Sequence, residues 1–341
     1  ELSEQYGGFT KDDILDNVAA ACEYKGGLYC IPSLIMIDAR FADRNVIGME
    51  HQNWTLDEFF EIAENMPEGM YLGDQWSFDD REEVFQFLVS QNLTQWVDFE
   101  RAACSFDSDK FVHTLEFCRG VNILPDYMDK VDAGLSDEDR RLDEAENIYR
   151  LRKGESLLGF VNAGDIGEFR SQAAHYMYEL DEVTLLGAPS DDGGGMIRFG
   201  NGIYSVFGCG NCPEGGWDFL NYLISYDKQT EFEYGFYSRK DSFKHNARYR
   251  MEQASKSAEE YGLTSAGFNN YEIEYDPTIT EEQYQEFCGY LATCTHIYGG
   301  YSDIESILME EYDKFIGGEM TAQQCADLIQ DRVSIYLSET S

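Results

Sequence analysis

Between Ser302 and Glu339 apolar residues recur at three- and four-residue spacing in two runs, the period of helices with one buried face. Ile304, Ile307, Leu308, Phe315 and Ile316 make the first stripe, and Cys325, Leu328, Ile329, Val333, Tyr336 and Leu337 the second. Gly317–Gly318 separates them, and Thr321 with Gln324 three residues on forms a capping box for the second helix. The pattern predicts a helical hairpin packed on a larger body.

Upstream, residues 10–24 read as a helix on Ile14, Leu15, Val18 and Cys22, stopped by Gly26–Gly27. LYCIPSLIMI is a strand-like run interrupted by Pro32. In WTLDEFFEIAENM, Thr55 is an N-cap, Glu58 lies three residues later, and Trp54 before the cap can staple onto Phe59. Trp54 is therefore assigned to structure. MYLG (70–73) reads as a strand running into the loop DQWSFDD, followed by helices at 80–92 and 109–119. Residues 136–152 read as a charged helix with Leu142, Ala145, Ile148 and Tyr149 inward. LLGFV (157–161), EVTLLG (182–187) and GIYSVFG (202–208) are strand candidates, with Gly193–Gly195 in a flexible loop. Pro213 opens a helix whose inner face is Trp217, Leu220, Leu223 and Ile224. Strands alternating with helices define an α/β chain.

Composition narrows the function classes. Sixty-five acidic against 25 basic residues give a net charge of −40, which repels phosphate backbones and anionic lipid and excludes a nucleic-acid partner. No apolar run reaches membrane-spanning length, and Glu1 does not begin a signal peptide. The nine cysteines are odd in number and widely spread, unlike a dense disulfide framework. Cys209-Gly-Asn-Cys212 lacks the second ligand pair that zinc needs, and the five histidines have no metal-ligand spacing, so no metal or cofactor is expected. No D-x-D-x-D-G calcium loop, phosphate loop, G-x-S-x-G or H-E-x-x-H motif occurs. Asp79–Asp80 is the acidic pair a glycosidase reading would use, but adjacent carboxylates arise by chance in so acidic a chain.

Several segments share one wording. The tail EEYDKFIGGEMTAQQCADLIQDRVSIYLSE, together with GGLYCIP, NWTLDEFFEIAENM, WVDFERAACSFDSDKFVHTLEFCR, KGESLLGFVN, LLGAPSDDGGG and CPEGGWDFLNYLISYDKQTEF…FYSRKDSF, resembles bacterial extracellular solute-binding proteins (family 1) of ABC transporters, in the same order. The chain departs from that pattern at Gly215–Gly216, where an Ala is usual, and in lacking a Pro near Tyr237–Ser238. The resemblance implies a periplasmic-binding-protein type II fold of two lobes joined by hinge crossovers, with the first lobe incomplete. It divides the chain into 1–32 (end of lobe one), 33–185 (lobe two), 186–244 (lobe one after the second crossover) and 245–341 (C-terminal helices completing lobe two). It implies a monomeric, non-enzymatic receptor that captures a carbohydrate in an interlobe cleft and hands it to a membrane permease. It also implies an extracellular location, with a lipid anchor carried by an upstream segment.

Sugar capture needs flat aromatic faces and planar polar groups on loops at strand ends. The loop after 70–73 offers Asp74, Gln75, Trp76 and Phe78; the loop after 157–161 offers Asn162 and Asp165. The plainer alternatives are a rim tryptophan packing on the next helix for Trp76, and capping of a helix over 165–179 for Asn162 and Asp165. Trp96 and Trp217 read as core. Tyr29, Pro32 and Pro189 are the expected hinge positions. A secreted glycan hydrolase and a degenerate sensor or scaffold domain are the alternative functions.

Overall fold

The computed structural model describes residues 2–24, 26–124, 136, 149–176, 178–191, 195–199, 202–206, 210–231, 235–268, 271–297 and 302–340. Of the helix expected over 136–152, residues 137–148, including Leu142, Ala145 and Ile148, lie outside them, as do Gly193, Gly194 and residues 207–209.

The chain divides into two compact units, one of Glu1–Ala39, Val161–Leu185 and Gly195–Ile297, the other of Arg40–Phe160, Leu186–Gly194 and Tyr298–Ser341. The first unit is held together by its sheet and core. Ile35 sits between two antiparallel partners, Phe199 on one side and Phe236 on the other, which ties the start of strand Leu34–Asp43 into that unit. Strand Gly195–Phe199 pairs in parallel with Cys294–Ile297. Phe236 then packs on Phe243 at 5.4 Å and on Phe287 at 5.2 Å, so helices Lys240–Tyr261 and Glu281–Thr293 belong to the same core.

The helix expected over 10–24 is shorter, Asp16–Ala21, because the backbone at 14 and 15 is used elsewhere. Ile14 bridges Arg239, and the Leu15 N–H donates to the Ser238 carbonyl at 2.8 Å. Ile14 and Val18 remain buried as the pattern requires.

In the second unit, helix Leu56–Glu64 starts as its sequence dictates. The Thr55 side chain accepts from the Glu58 N–H, the Glu58 carboxylate accepts from the Thr55 N–H at 2.7 Å, and Trp54 meets Phe59 edge-on at 5.3 Å. Helices Arg81–Leu88 and Asp109–Gly120 bring Phe87 and Phe117 against Phe59, building an aromatic core. Strand Tyr71–Gly73 runs parallel to Ser156–Ala163, with Tyr71 opposite Ser156 and Gly73 opposite Leu158.

The tail forms helices Ser302–Ile316 and Ala322–Thr340. The first ends on Gly318 (φ +79°), a conformation glycine adopts without penalty, with the Glu319 N–H closing on the Lys314 carbonyl at 2.9 Å. Thr321 and Gln324 make the expected capping box. Two stripe positions differ: Ile316 (37 %) and Leu328 (42 %) stay exposed. Tyr312 fills the inner face instead, stacked on Phe85 at 4.1 Å and donating to the Arg81 carbonyl at 2.8 Å. The buried carboxylate of Glu311 accepts from Lys314 and from Arg332 of the partner helix, a charged strap across the hairpin. Among the described residues, no helix is long and apolar enough to cross a membrane.

Candidate functional site

The loop after strand Tyr71–Gly73 is a tight turn organised by Asp74. Its N–H extends the parallel ladder to the Leu158 carbonyl at 3.0 Å. Its carboxylate accepts the Ser77 N–H at 2.7 Å, and its carbonyl accepts the Phe78 N–H at 3.1 Å. Asp74 is wholly buried, so this carboxylate shapes the turn.

Phe78, expected among the ligand-facing residues, is wholly buried and packs edge-on against Phe87 at 5.4 Å. Beneath the turn, the buried Arg40 guanidinium lies 5.1 Å from the Phe78 ring, 4.9 Å from Phe87 and 5.0 Å from Phe160, and donates to the Ser77 carbonyl at 3.4 Å. With both ends of the turn anchored in the core, Gln75 and Trp76 at its apex are the half-buried members. The turn thus holds up one indole on a rigid base.

Gly73 makes the tightness possible: a Cβ there would stand 2.6 Å from Phe78 Cδ2 and 2.7 Å from Ser77 Cβ. Gly73→Ala is expected to destabilise by about 1–3 kcal/mol through overpacking and to displace the apex. Urea unfolding together with Trp76 fluorescence would check it, and an unchanged midpoint and spectrum would refute it.

Asp79 and Asp80 serve the next helix. The Asp80 carboxylate caps Arg81–Leu88 by accepting the Glu83 N–H at 2.9 Å, and the Glu83 carboxylate accepts the Asp79 N–H at 2.6 Å. Burial, with Asp80 and Asp79 adding to it, raises the pKa of the Glu83 carboxyl above its ordinary value.

Strand Ser156–Ala163 passes from the second unit into the first at 160/161 and leads there into helix Ile166–His175. Asp165 is its N-cap, accepting the Gly167 N–H at 2.7 Å, the Glu168 N–H at 3.0 Å and the Arg250 Nε–H at 3.3 Å. Asp165 is buried, and its carboxylate is used in capping. Asp165→Ala is expected to cost about 1–2 kcal/mol, the range for losing an N-cap, and Asp165→Asn less. Thermal melts of the two variants test this ordering. Asn162 is half-buried, its backbone clamped by the Gln172 side chain, which accepts from its N–H at 2.9 Å and donates to its carbonyl at 2.5 Å. Arg40, Gln172 and Arg250 were not identifiable as site supports from the sequence, because each acts on a residue distant along the chain or through the backbone.

The residues expected at the hinges are placed differently from one another. Tyr29 is exposed, Pro32 is buried in a two-residue strand opposite Ile203, and Pro189 is buried with its carbonyl accepting from Asn92 Nδ2 at 2.5 Å. Trp96 and Trp217 are core residues, Trp217 donating to the Gly7 carbonyl at 2.7 Å. Cys209 lies outside the described residues, while Cys212 is exposed at the start of helix Pro213–Leu223. Among the described residues no group of three or more His, Cys, Asp or Glu is arranged to hold a metal ion.

No protein-family model matches the chain, and no curated protein matches it. Solved structures do. The chain is similar to the sugar-binding protein MalE from the phytopathogen Xanthomonas citri (12% identity, TM-score 0.54), over 99% of this chain and 78% of that one. It is similar to UgpB from Mycobacterium tuberculosis in complex with glycerophosphocholine (11%, TM-score 0.52), over 99% and 78%. It is also similar to an extracellular solute-binding protein family 1 from Alicyclobacillus acidocaldarius (14%, TM-score 0.51), over 98% and 78%. The fold is therefore the periplasmic-binding-protein type II α/β fold, as the sequence wording implied.

Proposed function

We propose that this protein is the capture component of an ABC importer, binding a carbohydrate reversibly and presenting it to a membrane permease. The observation that carries this reading is likeness of fold over 98% or more of the chain to extracellular solute-binding and sugar-binding proteins. The Trp76 turn supports it: a half-buried indole on a turn anchored by Arg40 and Asp74 suits stacking on the apolar face of a pyranose. Gln75 beside it, and Asn162, are the candidate amides for sugar hydroxyls. An extracellular location with a lipid anchor, and action as a monomer, belong to the same reading.

The test is a thermal-shift screen of mono- and oligosaccharides, extended to glycerophosphodiesters because one fold neighbour is in complex with glycerophosphocholine. A ligand at 100 times its Kd stabilises the native state by about 2.7 kcal/mol, a readily measured shift. New reducing ends during incubation with oligosaccharides would instead identify a hydrolase. A flat response across the whole library would favour a sensor or scaffold.

A further inference from the structure

We propose that the crossover segment Gly187–Asp191 is a salt-sensitive strap. Lys110 and Gln95 fasten its outer end to the second unit, and when they let go the segment peels from that unit inward from Asp191.

The chain leaves the first unit after Leu185 and re-enters it at Gly195, so the stretch between belongs to the second unit. The side chains that hold it lie in the same unit. The Trp54 indole donates to the Gly187 carbonyl at 2.8 Å, and the Trp54 carbonyl accepts the Ser190 N–H at 3.0 Å. Asn92 Nδ2 donates to the Pro189 carbonyl at 2.5 Å. Gln95 grips Asp191 twice, accepting its N–H at 2.8 Å and donating to its carboxylate at 2.9 Å. Lys110 Nζ donates to the same carboxylate at 3.1 Å and pairs with Asp57 at 3.0 Å.

Two features make the outer end the releasable one. The first is the position of Lys110. A cation in a helix's first turn opposes the helix dipole, so Lys110 is poorly placed in helix Asp109–Gly120 and well placed as a bridge between Asp57 and Asp191. Removing its nitrogen would leave two like charges side by side. The second is a gradient of burial. Gly187, Ala188, Pro189 and Ser190 are buried, whereas Asp191 is exposed. In the Lys110–Asp191 pair the side chains are 31% and 44% exposed. The inner end is thus held by burial and by bonds to backbone groups, and the outer end by an ion bridge that salt screens.

While the strap is closed, Pro189 is fixed through its carbonyl, and a hinge at this residue opens only after Asp191 lets go. Ionic strength thereby sets how much of the time the expected hinge position is free to move.

Amide hydrogen exchange on the full chain reads the strap with no ligand present. It is followed by mass spectrometry on peptides covering 186–191, with peptides over Leu56–Glu64 as the internal reference. In the wild-type protein, raising sodium chloride from about 20 mM to about 500 mM is expected to speed exchange at Ser190 and Asp191 about three- to tenfold relative to the reference, the scale of losing one or two partly exposed ion pairs. Lys110→Met is expected to give the same acceleration at low salt and to remove or reverse the salt dependence, although the two amides bond to Trp54 and Gln95. Lys110→Arg is expected to restore protection. Salt-independent exchange in the wild type, unchanged protection in Lys110→Met, or acceleration shared equally by the reference helix would each overturn the proposal. The wild-type salt series decides the matter even if a variant fails to fold.

Discussion

Replacing Trp54 with alanine is expected to lower the free energy of unfolding by about 3–5 kcal/mol, the range for deleting a large aromatic from a packed core. The side chain is almost wholly buried, and it acts in two ways. Its ring closes edge-on over Phe59, which fixes the angle at which the chain enters helix Leu56–Glu64. Its Nε1–H donates to the Gly187 carbonyl at 2.8 Å, and the Ser190 N–H returns to the Trp54 carbonyl at 3.0 Å, so it also pins segment 187–190. Trp54→Phe keeps a ring over Phe59 but leaves the Gly187 carbonyl without its donor, and should cost about 1–3 kcal/mol. Urea midpoints, at unchanged denaturant slope, separate the two variants. Equal midpoints for both would remove the indole hydrogen bond from the account.

That Trp54 is structural could be read from the sequence, because the staple, the cap and the box lie within six residues; its bond to Gly187, 133 residues away, could not. The same locality made Thr321–Gln324 and the turn at Gly317–Gly318 legible, and with them the tail hairpin. What the sequence concealed was set by contacts far along the chain. Phe78 has the look of a loop aromatic, and only the arrival of Arg40, Phe87 and Phe160 around it makes it core. Tyr312 fits its helix's inner stripe, but its burial depends on Phe85 and the Arg81 carbonyl. Helix 10–24 was overextended because the competing partner of its first turn, Ser238–Arg239, is more than two hundred residues away. Of the candidate site, the Trp76 turn was legible as a strand-end loop; its anchoring was not.

Trp76→Ala is expected to weaken binding of the sugar found by the screen by about 1–3 kcal/mol, roughly 5- to 150-fold in Kd. Labour in the turn is divided. Asp74, Ser77 and Phe78 hold its shape from inside, so removing the apex indole leaves the anchor bonds in place. The stability loss should therefore be smaller than for Trp54→Ala, while the affinity loss is larger. Isothermal titration calorimetry beside urea unfolding gives both numbers. An affinity unchanged by Trp76→Ala, in a protein that otherwise binds, would place the sugar elsewhere.

The interleaving of the two units bears on how the chain is made. The second unit begins at Arg40, yet Ile304, Leu308, Tyr312, Phe315, Ile329 and Val333 of the tail are part of its core. During vectorial synthesis at about 5–20 residues per second, those helices follow the first core residues by an interval on the order of tens of seconds. Through that interval Phe85, Phe111 and their neighbours have emerged without the face that will cover them. The nascent chain is thus kept from closing until it is nearly complete, and for that long its aromatic surface is a target for whatever escorts unfolded chains.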